Sequence, residues 1–189
     1  MRILGIDPDT RASGWALLEA DPPRVVIAGI VDTRGNTGLL AVEKQIAAIR
    51  EQFPELPPAD FAICEYPQSY NLLPKGGRFQ NVDPNNLIML SAVAGAALAS
   101  ANLNEGGEVS IVRPAVWKGQ RTKGAVHRHV CRVVGWKYKP NKNASIALTE
   151  VIPSDGCQIK PWKGRATKPW SEILDAVGIA MYQLKKSHP

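Results

Sequence analysis

The sequence predicts an α/β domain on a mixed sheet, three antiparallel strands followed by two parallel ones, flanked by helices. Three observations carry that expectation. ILGID at residues 3–7 is an apolar run that turns back through a short polar stretch into GWALLE, and RVVIAGIVD follows after the turn ADPP. Leu39, Val42, Ile46, Ile49 and Phe53 then recur at steps of 3 and 4, the period of one helical face. Beyond that helix comes a fourth short apolar run, DFAICE, which ends on an acid as the first strand does.

Each element follows from local signals. Residues 2–6 form a buried strand, 14–19 its hairpin partner and 24–32 a third strand, with proline and aspartate in the turn between the last two. The helix over 37–53 stops at Pro54 and the proline pair at 57–58. A helix between strands implies a right-handed crossover, which makes the strand at 60–65 parallel to the first and sets Glu65 near Asp7. Residues 66–84 have neither period and form a long loop of the kind that is usually functional. Residues 85–101 are apolar or small nearly all round, so this helix is expected to be buried on more than one side. A fifth strand at 108–113, a basic helix at 123–134 and a closing helix at 170–186, with Ser171 as its N-cap, complete the chain. Residues 136–168 fit no regular element.

Composition bounds the function. The 189 residues make one domain, here expected to span 1–189, and 44% apolar content suits an ordinary globule. The longest apolar run, at 87–101, is too short to cross a membrane, and no leader is expected before a first strand that begins at residue 2. Cys64, Cys131 and Cys157 are widely spaced and odd in number, which disfavours a disulfide framework and fits a reducing cytoplasm, bacterial or virus-infected, an organelle remaining open.

The net charge of +6 hides an asymmetry. Residues 113–168 hold 13 Lys and Arg against two acids, Glu150 and Asp155, so the rest of the chain is net acidic. An acidic cluster facing a basic surface points to a polyanionic partner. The cluster is readable as Asp7 and Glu65 at two strand ends with Glu172 and Asp175 three apart on one face of the last helix. Asp175 lies among Leu174, Ala176 and Val177, which turns it inward. Carboxylates gathered in this way repel one another unless cations offset them, and Mg²⁺ accepts carboxylate oxygens while keeping waters for a phosphate substrate.

Four stretches, ILGIDPDTRASGWALLE, AICEYP, VRPAVWKGQRTKGAVHRHV and SEILDAVGIAMYQL, resemble in order and separation the RuvC-type Holliday junction resolvases of the RNase H-like, retroviral integrase superfamily. The resemblance implies a five-stranded sheet, a homodimer and paired nicking of a four-way DNA junction, leaving 5′-phosphate and 3′-hydroxyl ends. It implies Mg²⁺, replaceable by Mn²⁺ and expected as two ions, on Asp7, Glu65 and Asp175. Glu172 stands where relatives carry aspartate or histidine. Lys118 and Lys123 match positions on the DNA backbone near the scissile phosphate, Lys123 steadying the developing charge; Arg121 competes for either place, and Arg128 lies on the same basic helix. Tyr66, Tyr70 and Phe79 compete for the aromatic that holds the junction open, beside Lys75 and Arg78 in the same loop. The helix at 85–101 has the small, apolar surface that a two-fold contact needs. Two other readings stay open: a non-catalytic junction binder, and a nuclease of the same fold acting on flaps or RNA–DNA hybrids. A sugar-kinase-like ATPase shares the first hairpin but needs a second lobe for which 189 residues leave no room.

Overall fold

The structure, a computed structural model, describes residues 1–67, 84–139, 143, 148, 150–160 and 170–187. Strands β1 (Arg2–Asp7), β2 (Ala12–Ala20) and β3 (Pro23–Asp32) form the antiparallel meander, with a cis Asp21–Pro22 bond in the second turn. Helix α1 (Gly38–Gln52) then crosses over to β4 (Ala59–Glu65), which lies parallel to β1. Helix α2 (Pro84–Ala99) leads to β5 (Leu103–Val112), parallel to β4. The short turn α3 (Pro114–Trp117) and α4 (Lys123–Val133) follow, and α5 (Trp170–Ser187) closes the chain. Ser171 is the second residue of α5 and so is not its cap.

Among the described residues between α4 and α5 there are three two-residue strands, β6 (Lys137–Tyr138), β7 (Val151–Ile152) and β8 (Gln158–Ile159). The last pairs parallel with β3, so the sheet has six strands in the order β5-β4-β1-β2-β3-β8 rather than the expected five. The segment expected to be irregular and basic also buries Trp136, Leu148 and Val151 against α4 and α5, with Trp136 edge-on to Trp170 at 6.1 Å. Its apolar residues are too sparse to show a period, but they close one end of the core.

Alternation along the strands divides that core into two layers. Leu4, Ile6, Trp15 and Leu17 face α1 and α2, whereas Ile3, Ala16, Leu18 and Ile63 face α4 and α5. Burial on both faces is why β1 reads as an unbroken apolar run. On helix α2, Val93, Ala94 and Ala97 are buried, whereas Ser91, Ala92, Gly95 and a 67% exposed Ile88 face outward. A buried relay joins α1 to the turn after β1. Gln45 Nε2 donates to Ser13 Oγ at 2.9 Å and to the Val31 carbonyl at 2.8 Å, while Asp9 Oδ1 accepts the amides of Arg11 and Ala12.

Candidate active site

Strand parity puts two acids on one face. Side chains of one face recur every second residue, so Ile3, Gly5 and Asp7 point toward α5, as do Ile63 and Glu65 on β4. The β1–β4 register pairs Ile6 with Cys64, and the next residue of each strand is an acid. Helix α5 lies over them because two glycines let it. A methyl on Gly5 would sit 2.2 Å from the Ala176 carbonyl oxygen, and one on Gly14 at 2.2 Å from that of Glu172. These contacts, four residues apart on α5, seat the helix backbone on β1 and β2 and bring the intervening Asp175 over Asp7. Its side chain is 2% exposed.

Two lysines and two rings enter from α3 and α4. Trp117 Nε1 donates to Glu65 Oε2 at 2.6 Å, and Lys118 Nζ lies 3.3 Å from the same oxygen. Gly178 on α5 makes room for the Trp117 indole, since a methyl there would meet the ring at 2.6 Å. Lys123 Nζ pairs with Asp175 Oδ2 at 2.7 Å. Lys123 sits in the first turn of α4, where the helix dipole disfavours a cation, so its position is set by the acid across from it. The buried His127 ring lies 3.1 Å from Asp175 Oδ1 through Nε2, and its Nδ1 accepts the Leu148 amide at 3.4 Å. That second contact assigns the proton to Nε2, which donates to the carboxylate.

Electrostatics separate the acids. Burial, then Asp175 and Glu65, push Asp7 well above the ordinary aspartate value; Lys118 and Lys123 offset only part of this. Burial alone would also raise Asp175, but the His127 hydrogen bond and then Lys123 and Lys118 hold it below its usual range. Burial draws Lys118 down, yet Asp175, Glu65 and Asp7 together leave it raised. Glu172 stands slightly apart. Burial raises it, Lys123 and Arg34 partly draw it back, and its buried Oε2 has no hydrogen-bond partner among the described residues.

The donor set fits a hard divalent cation: three carboxylates converge, and no hydrogen bond or ion pair engages Asp7 among the described residues. Among the described residues, however, no three ligating side chains stand as a ready-made ion site. Lys118 and Lys123 already lie on Glu65 and Asp175, so basic side chains offset part of the acidic charge that the sequence reading left to metal alone.

Of the other expected DNA contacts, Tyr66 is exposed just beyond Glu65, Arg121 donates from Nε to the Lys118 carbonyl at 3.2 Å, and Arg128 is half-buried on α4. Tyr70, Lys75, Arg78 and Phe79 lie outside the described residues. Trp117, His127, Gly5 and Gly14 were not singled out from the sequence. The glycines carry a signal, each interrupting an otherwise bulky buried strand, but the two rings carry none, because their partners are 52 and 48 residues away.

The chain aligns with the crossover junction endodeoxyribonuclease RuvC of Ralstonia pickettii at 29% identity over 159 residues, 80% of this chain and 82% of the relative. The chain is similar to RuvC along most of its length. RuvC of Neisseria gonorrhoeae is 25% identical over 169 residues, 82% of this chain and 87% of that one. Among solved structures, Thermus thermophilus RuvC in complex with Holliday junction substrate superimposes with a TM-score of 0.60 at 18% identity, covering 99% and 96% of the two chains. The fold is therefore the RNase H-like fold of RuvC. No protein-family model matches the chain.

The His127 contact has a measurable consequence. His127→Ala leaves a cavity and removes the ring donor to a buried carboxylate, so thermal unfolding is expected to show a loss of about 3 kcal/mol. Should Asp175 serve as an ion ligand, divalent-metal affinity measured by calorimetry is expected to fall by about 10–100-fold, the usual effect of losing a group that orients a ligand. His127→Gln, which keeps a donor, recovers part of that affinity.

Proposed function

We propose that this protein is a structure-selective endonuclease that resolves four-way DNA junctions by paired, metal-dependent phosphodiester hydrolysis. The observation that carries the reading is the set of Asp7 and Glu65 on one face of the sheet with Asp175 of α5 over them, and Lys118 and Lys123 among them. Asp7, Glu65 and Asp175 hold the ions, with Glu172 as a further ligand through its unpartnered oxygen. Divalent ions bound there supply Lewis-acid activation of the attacking water and the leaving oxygen.

The remaining work falls to the chain itself. Trp117 holds Glu65 by one oxygen and His127 holds Asp175 by one, which leaves each carboxylate a second oxygen. Lys118 shares Glu65 Oε2 with Trp117, Lys123 pairs with the second Asp175 oxygen, Oδ2, and both lysines are exchangeable. Lys123, half-exposed, turns to the scissile phosphate and offsets charge developing on its oxygens, and Lys118 meets the adjacent backbone. Arg121, Arg128 and Tyr66 extend the DNA surface, with Tyr70, Lys75, Arg78 and Phe79 as further contacts near the junction centre.

Symmetric cleavage calls for a two-fold assembly, and the outward face of α2, with Ile88, Ser91, Ala92 and Gly95, is the surface for a homodimer. The chain acts as one nuclease domain over 1–189, its segment at 136–168 serving as an insertion. A cytoplasmic location goes with this reading, since all three cysteines are free.

The test is cleavage of a labelled four-way junction beside linear duplex, flap and RNA–DNA hybrid substrates, with and without Mg²⁺. Paired Mg²⁺-dependent nicks confined to the junction are expected. Cleavage of flaps or hybrids in preference reassigns the substrate, and tight junction binding without cleavage in any divalent metal makes the protein a junction binder instead.

A further inference from the structure

Two cavities adjoin on the outer face of the α3–α4–α5 layer and share Val116 and Tyr182 as a common wall. The first, about 150 Å³, has Arg121, His129 and Lys185 at its edge over a floor that includes Trp117 and Met181. The second, about 280 Å³, has Arg113 and Lys186 beside Ser110. No carboxylate lines either one among the described residues. Each also has a buried polar atom without a partner among the described residues: His129 Nε2 in the first and Ser110 Oγ in the second. Both cavities are smaller than the ~300–1,000 Å³ typical of small-molecule sites. They suit single anionic groups better than a whole cofactor.

Some exposed cations elsewhere are paired, as Arg24 is with Glu19 and Lys139 with Glu150. Along this groove no described acid pairs with Arg113, Arg121, Lys185 or Lys186. The Lys186 ammonium instead lies 6.0 Å from the Tyr182 ring, and Arg121 is held by the Lys118 carbonyl. Burial, together with Lys185, Arg121 and Arg132, also holds His129 below its ordinary value, the sign expected where positive charge is unopposed. From Asp175 to Lys185 the helix rises about 15 Å at 1.5 Å per residue. That span is about four nucleotide steps at 3.4 Å each.

We propose that this paired groove binds successive backbone phosphates of a DNA duplex arm, several nucleotides from the cleaved bond. The identity of the ligand rests on the junction-nuclease reading above; the phosphodiester chemistry rests on the groove. Groove contacts act on arm binding and leave the cleavage step alone, because none of the groove cations touches Asp7, Glu65 or Asp175.

The experiment compares wild type with Lys185→Gln/Lys186→Gln, two exposed positions whose replacement spares the core, and with Arg113→Gln. Lys44→Gln, on the opposite layer of the sheet, controls for simple loss of charge. Binding to a four-way junction is measured against salt, with arms long enough to cross the groove and with arms cut short of it. For long arms, the double variant is expected to bind about 10-fold more weakly, and its log–log salt slope is expected to fall by about one to two, near 0.9 per lost phosphate contact. Short arms show no difference, and the cleavage rate at saturating DNA is unchanged.

An unaltered slope, an equal change in Lys44→Gln, or an equal effect on short arms overturns the groove. A wild type that fails to cut junctions but shows the arm-length effect on any duplex overturns the nuclease reading and leaves the groove standing. Inorganic phosphate that displaces no DNA from wild type while shifting the His129 ring resonances identifies a free-anion site, which also overturns the proposal.

Discussion

Asp7→Asn is expected to abolish junction cleavage and, in the same molecule, to raise thermal stability. The loss follows from removing a carboxylate that carries no hydrogen bond among the described residues and so is free to bind an ion. A fall of at least about 10³-fold, equivalent to about 4 kcal/mol of barrier, is the scale of a lost metal ligand. The gain in stability follows from the same surroundings. Burial and the neighbouring Asp175 and Glu65 penalise a charge at Asp7, and the amide carries none. Relief of that strain is worth about 1 kcal/mol, or about 3 °C in a domain of this size.

The pH dependence fixes the sign. The folded state of the metal-free protein holds the Asp7 proton above the ordinary value of 3.8, where the unfolded chain releases it, so wild-type stability falls as pH rises through that window. Asp175 works oppositely: its stabilisation is present above the ordinary value and lost as pH falls through its lower folded value. The Tm difference between Asp7→Asn and wild type, measured in chelator, therefore widens as pH climbs from about 4. A difference that stays constant or shrinks means that Asp7 is compensated in the folded protein, and the metal assignment loses its physical basis. Added Mg²⁺ narrows the gap, since only the wild type has the ligand.

Gly5→Ala is expected to be strongly destabilising. The new methyl meets the Ala176 carbonyl oxygen at 2.2 Å and both the amide and Cβ of Ala180 at 2.9 Å, so no side-chain rotation relieves it. The whole of α5 has to move off β1. Overpacking of this kind costs about 3 kcal/mol, which lowers Tm by about 6–12 °C. Cleavage falls further than the unfolded fraction accounts for, because α5 carries Asp175 and a shift of about 1 Å in a catalytic group costs about 10²-fold. Circular dichroism melts paired with cleavage assays well below Tm separate the two effects. An unchanged Tm contradicts the close seating of the helix.

Much of this site is legible in a single sequence. Asp7 and Glu65 end apolar runs, and β-strand parity with a right-handed crossover already sets them side by side. Asp175 is conspicuous because a charge amid Leu174, Ala176 and Val177 has to face either the core or a cleft. Charge counting reads residues 113–168 as a basic surface, yet it conceals the part that Trp136, Leu148 and Val151 play in closing the core between α4 and α5. Helix α2 reads as apolar nearly all round, with one side for the sheet and another for a second subunit. Apolar composition records how much surface a helix can bury, whereas the elements that fold against it decide which sides are covered, and here α1 and β4 cover one.

What the sequence determined by itself is thus the order of β1 to β5 and of the longer helices, the parallel placement of β4 and the position of the acids on those elements, because strand and helix periods and chain connectivity are local properties. Tertiary structure alone decided how those acids are held. Trp117 on Glu65, His127 and Lys123 on Asp175, and Gly5 and Gly14 beneath α5 join residues dozens to more than a hundred positions apart. No local period encodes such pairs. They exist only where the folded backbone brings a donor within about 3 Å of a carboxylate, a distance set by packing.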